Sequence, residues 1–118
     1  MKTKQEEYYE AICQSSDVID MQKYIKEVLA LRIEDYPQQT AQDTLMLLTE
    51  EVGELAKAIR KSATSITIDR SKLEHYDTVE NEAADVLIVL LSLCNILGID
   101  LYRAFLEKEK INIKREWS

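Results

Sequence analysis

Apolar residues recur at helical spacing along most of this chain. After Asp20, the residues Met21, Tyr24, Ile25, Val28, Leu29 and Leu31 fall mainly three and four apart. That is the period of a helix with one face turned to a core. Asp20 is read as its N-cap, and Pro37 ends it, because the residue before a proline resists the helical region. A second pattern runs over 41–61. Its main apolar face is Leu45, Leu48, Val52, Leu55 and Ile59, with Lys57, Arg60 and Lys61 on the solvated side. Residues 62–77 are rich in Ser, Thr and Asp and read as a loop, with one extended turn at 66–68. A third helix is predicted over 78–97, with Gly98 as its stop. A fourth begins after Asp100 and carries Leu101, Phe105 and Leu106 towards Trp117. Residues 6–14 carry a weaker pattern for an extra short N-terminal helix. The expected fold is all-α: one domain over 1–118, a small four-helix bundle with an N-terminal extension over 1–16.

The third helix stands apart. From Val86 to Leu93 it is apolar almost all the way round, the mark of a helix covered on every side. Four short helices rarely cover one of their number completely. The favoured reading is that one side of this helix meets another subunit, so a homo-oligomer is expected. A central helix covered by its own chain is the alternative.

Composition narrows the function. With 118 residues, two glycines and one proline, the chain lacks the glycines of a phosphate-cradling or dinucleotide-binding loop. Its 15 Lys+Arg against 22 Asp+Glu leave a net charge of −7. That argues against binding a nucleic acid polymer through the chain's own side chains. A small polyanion is still an eligible substrate if a metal cation reverses the local field. The longest apolar run, residues 86–91, is far shorter than the roughly 20 residues of a membrane span. Residues 1–10 are charged, so no secretory leader is expected. Cys13 and Cys94 lack metal-ligand spacing, and a reduced, cytoplasmic protein is expected.

Two acidic runs carry the candidate chemistry. One is Glu50-Glu51-Val52-Gly53-Glu54 and the other Glu82-Ala83-Ala84-Asp85. Each contains acids at i and i+3, which share one helix face. At about 100° per residue, Glu82 and Asp85 bracket Val89 and Ile96, in line with the apolar stripe. Glu51 and Glu54 flank Leu47 and Ala58, beside the apolar face of their helix. Glu50 falls nearer the solvated side. Carboxylates aimed at a core are costly and repel one another, and neither helix offers a Lys or Arg on its stripe. Divalent cations offset both costs. Four hard oxygen donors with no His or Cys suit Mg²⁺, with Mn²⁺ as a substitute. A di-iron bundle needs Glu-x-x-His on two helices. The sole histidine, His75, is not three residues from any acid and reads as a surface residue. The competing reading leaves the acids lining a solvated groove or paired with Lys or Arg from another segment.

With these residues in place the sequence resembles a known family. Glu50-Glu51-x-x-Glu54, 27 intervening residues and Glu82-x-x-Asp85 are similar to the E-E-x-x-E … E-x-x-D signature of the MazG-like, all-α nucleoside triphosphate pyrophosphohydrolases. The run "FLEKEKINIKREW" resembles the family's closing Lys, Asn, Arg and Trp. The resemblance covers roughly residues 20–117. It implies a four-helix core that assembles into dimers or tetramers, and Mg²⁺-dependent cleavage of a nucleoside triphosphate to monophosphate and pyrophosphate. It implies Glu51, Glu54, Glu82 and Asp85 as metal ligands, and Glu50, Glu51 and Glu54 as catalytic acids. Lys108, Lys110, Asn112 and Arg115 are the implied substrate contacts, with Lys114 a further candidate. Tyr8, Tyr9, Tyr24, Tyr36 and Trp117 are candidate walls for a base. Removal of unwanted nucleotides is the expected role. Phosphoribosyl-ATP pyrophosphohydrolase activity, or a non-catalytic oligomerising module, are the alternatives.

Overall fold

The structure, a computed structural model, describes residues 1–32, 39–63 and 78–115. Five helices run in order: α1 Lys4–Ile12, α2 Val18–Arg32, α3 Ala41–Ala63, α4 Val79–Leu97 and α5 Leu101–Lys114. No strand occurs among the described residues. Most of the predicted loop, with its turn at 66–68, lies outside the described residues. So do Tyr36, Pro37, His75 and Trp117.

Local chemistry sets the helix ends. Thr3 and Glu6 form a reciprocal capping box at the start of α1. Helix α2 begins earlier than predicted, because Asp17 and not Asp20 caps it. The Ile19 amide donates to the Asp17 carboxylate at 2.8 Å. Asp20 instead lies in the first turn and accepts from the Ser15 hydroxyl at 2.7 Å. Thr78 caps α4, accepting from the Asn81 amide. Gly98 stops α4 in the left-handed region at φ 69°, as glycine does. Asp100 then caps α5.

Helix α3 lies along α4, α2 crosses the C-terminal part of α4 and touches α5, and α1 rests on α2. Gln22 locks the α4–α5 corner onto α2. Its side-chain amide donates to the Ile99 carbonyl at 2.6 Å and accepts from the Leu101 amide at 3.2 Å. Asn95 donates to the Gln22 carbonyl at 3.0 Å. From this corner α5 leaves α4 at 96°. It therefore does not run back beside α3 and α4, as a closed four-helix bundle within one chain requires.

The core is small. Ile25, Val28, Ala58, Leu91 and Cys94 are buried, together with Thr44 and Glu82. The inward face of α3 differs from the predicted one. Thr44, Leu48, Glu51, Leu55 and Ala58 point inward, whereas Leu45, Val52 and Ile59 are 53%, 49% and 48% exposed. At about 100° per residue these stripes are about 90° apart. Helix α3 therefore has two apolar-bearing faces, and the chain covers one of them. Leu87, Ile88, Ile96 and Leu97 of α4 and Phe105, Leu106, Ile111 and Ile113 of α5 are also exposed. The radius of gyration is 17.5 Å, against about 13.5 Å for a compact chain of this length. Among the described residues, no single helix is long and apolar enough to cross a membrane.

Candidate metal centre

Three acids from two helices meet between α3 and α4. Glu51, Glu82 and Asp85 each bring a carboxylate oxygen to within 4.8 Å of the others. Glu82 is only 5% exposed, and Glu51 and Asp85 are half-buried. The turn of α3 puts Glu51 there, because it lies on the same stripe as Thr44 and Ala58. The sequence pattern set it beside the apolar face; the helix is rotated so that Glu51 sits in the contact itself. The cap places the other two. Thr78 starts α4 and its carbonyl accepts from the Glu82 amide at 3.0 Å. Glu82 thus falls in the first turn, where the positive end of the helix favours a carboxylate, and Asp85 follows one turn on.

The donor set is chemically uniform. Hard carboxylate oxygens, without nitrogen or sulfur, match magnesium or manganese and are a poor match for zinc. Three carboxylate oxygens within 4.8 Å of one another are spaced as a divalent cation could bridge them.

The other acids stand further out. Glu54 is exposed and outside the close trio, one turn along α3 from Glu51, and Glu50 is exposed as well. The predicted substrate contacts on α5 do not reach the acids of their own chain. Glu82 lies about 22 Å along α4 from Leu97, and α5 then departs almost perpendicularly. Lys108, Lys110, Asn112 and Arg115 are thereby carried more than about 20 Å away. Asn112 is half-buried and donates to Glu109 at 3.1 Å. Tyr8 and Tyr24 line a cavity between α1 and α2, not the acidic contact.

The two cysteines stand apart from the acids in kind. Both are free thiols, Cys13 exposed and Cys94 buried. Burial pushes the Cys94 thiol above its ordinary pKa, and Cys94 packs in the core as a small hydrophobe.

Comparison with known families matches residues 39–116 to the MazG nucleotide pyrophosphohydrolase domain, about two thirds of the chain and all of α3, α4 and α5. No curated protein and no solved structure matches the chain.

Proposed function

The chain belongs to the MazG nucleotide pyrophosphohydrolase family, and from that premise we propose that it hydrolyses nucleoside triphosphates, ribo or deoxy, to the monophosphate and pyrophosphate with Mg²⁺, clearing unwanted nucleotides. The observation that carries this reading is the convergence of Glu51, Glu82 and Asp85 within 4.8 Å. Glu51, Glu82 and Asp85 would hold the ion from the two helices, with Glu54, one turn along α3, a fourth candidate ligand. The chemistry that bound magnesium supplies is polarisation of the α-phosphoryl group and acidification of a water.

The chain's own residues do the rest. The exposed carboxylate of Glu54 accepts the proton of the attacking water, and Glu50 orients that water from the neighbouring position. Attack at the α-phosphorus breaks its bond to the bridging oxygen, and pyrophosphate leaves with the electron pair. Lys108, Lys110, Asn112 and Arg115 bind the phosphates from α5 of a second copy. The perpendicular course of α5 supports that arrangement, as do the exposed apolar stripes of α3, α4 and α5. The working unit is thus a homodimer or homotetramer.

The test is pyrophosphate release across a panel of ribo- and deoxynucleoside triphosphates with Mg²⁺. Turnover of at least one, lost in Glu82→Gln, is the expected result. No turnover on any of them would favour a non-catalytic module.

A further inference from the structure

Outside the matched domain, α1 and α2 border an open cavity of about 280 Å³ lined by Tyr8, Ala11, Ile12, Ser15, Asp20, Lys23, Tyr24 and Glu27. Its α2 residues, Asp20, Lys23, Tyr24 and Glu27, cluster on one side of the helix. At about 100° per residue that side is about a third of a turn from the face of Met21, Ile25 and Val28 that packs inward. The cavity therefore opens away from α4, and the metal centre does not use it. At 280 Å³ it lies just under the usual range for drug-sized ligands. Open on one side, it suits a slender, extended molecule.

The lining selects the ligand's chemistry. Tyr8, Ile12 and Tyr24 are half-buried and supply an apolar wall with two ring systems. Asp20 and Glu27 lie seven residues apart on one helix, which separates them by about 10.5 Å along the axis and about 20° around it. The two carboxylates thus stand in line at opposite ends of the cavity with Tyr24 between them. Neither is ion-paired to Lys23 or to another side chain among the described residues. One lysine against two carboxylates leaves the lining negative. The face of Tyr8 already attracts a cation, since the Lys4 ammonium stands 5.8 Å from its ring centre.

We propose that this cavity binds an aliphatic diamine or polyamine. One ammonium group meets Asp20, a second meets Glu27, and the methylene chain lies along Tyr24, Ile12 and Tyr8. Ser15 holds the Asp20 carboxylate in place through its 2.7 Å hydrogen bond. A monoamine satisfies one carboxylate only, and a diamine that is too short cannot span the two.

Calorimetric titration of the full chain with octamethylenediamine, octylamine and ethylenediamine tests this, in buffer of physiological ionic strength with Mg²⁺ present. Octamethylenediamine should bind at least tenfold more tightly than either of the others. Asp20→Asn and Glu27→Gln, near-isosteric changes on the side of α2 that faces α1, should each weaken it at least fivefold without changing the far-ultraviolet circular dichroism. Tyr24→Leu is the companion variant that tests the wall, with the same expected loss. Equal binding of the three amines, or unchanged binding in Asp20→Asn and Glu27→Gln, would mean diffuse attraction to an acidic protein and overturn the proposal. Nucleotide turnover plays no part in this readout, so its outcome is independent of the catalytic reading.

Discussion

Glu82 is a carboxylate placed where water scarcely reaches, and two more carboxylates face it. A buried charge costs several kcal/mol unless something compensates it. A divalent cation that binds the folded chain alone compensates it and stabilises the fold by mass action, about 2.7 kcal/mol at a hundredfold excess over its Kd. Melting curves with Mg²⁺ or Mn²⁺ should therefore rise for the wild type and stay flat for Glu82→Gln. The readout is the shift between EDTA and the cation in each protein, so any part that Glu82 plays in the fold itself cancels. An equal shift in both proteins would mean that the ion binds elsewhere. Cys94 carries a second residue-level prediction. Burial raises its pKa, so the folded state keeps the thiol proton longer than the unfolded chain does. More protons bound in the folded state mean that stability declines with rising pH. The decline begins near the ordinary thiol value of about 8.5 and should vanish in Cys94→Ala. Iodoacetamide should label exposed Cys13 at once and Cys94 only on unfolding.

The elements show how differently two glycines act. Gly98 sits at φ 69° with open space around it, so a methyl group there meets backbone strain and nothing else. Gly98→Ala should cost about 1 kcal/mol, and Gly98→Asn less, since asparagine tolerates the left-handed region. Gly53 is in mid-helix on the exposed side, also with open space. Gly53→Ala should stabilise by about 0.5–1 kcal/mol. Urea unfolding of the three variants checks both signs. These ends were legible in the sequence because caps and stops are local chemistry: Thr78, Gly98 and Asp100 each act within a few residues. The two acidic runs were legible for the same reason, since an i, i+3 spacing fixes a shared face. What α3 turns towards α4 was not legible. Its strongest apolar stripe, Leu45, Val52 and Ile59, is the exposed one, and the face that α4 covers mixes Thr44, Glu51 and Ala58 with leucines. Periodicity finds the greasiest face but does not say which partner covers it. The α4–α5 angle was equally hidden, because Gln22 sets it from more than seventy residues away.

At the scale of the whole molecule, exposed apolar surface and the proposed sharing of the site between two copies point to one requirement. The chain exposes 9673 Å², where a compact protein of 13.7 kDa exposes about 6,600 Å². The surplus exceeds the roughly 800 Å² that each partner gives to an interface of standard size. Sedimentation at micromolar concentration should therefore give at least twice the 13.7 kDa chain mass. Val52→Asp, which sets a charge in the exposed stripe of α3, should shift the mass to that of the single chain. Such a monomer keeps Glu51, Glu82 and Asp85 together, since all three belong to one chain, so its melting should still respond to Mg²⁺. It should lose turnover if, as proposed, α5 of the other copy binds the phosphates. Mixing two inactive variants makes this decisive. Glu82→Gln breaks the acids and Arg115→Ala breaks the cationic arm. In a mixed twofold dimer both lesions fall in one site, and the other site is intact. Random exchange makes half of the dimers mixed, each with one working site of two, so activity should return to about a quarter of wild type. If the mixture stays inactive while subunit exchange is demonstrated, acids and cations act within one chain and the second copy has no part in the site.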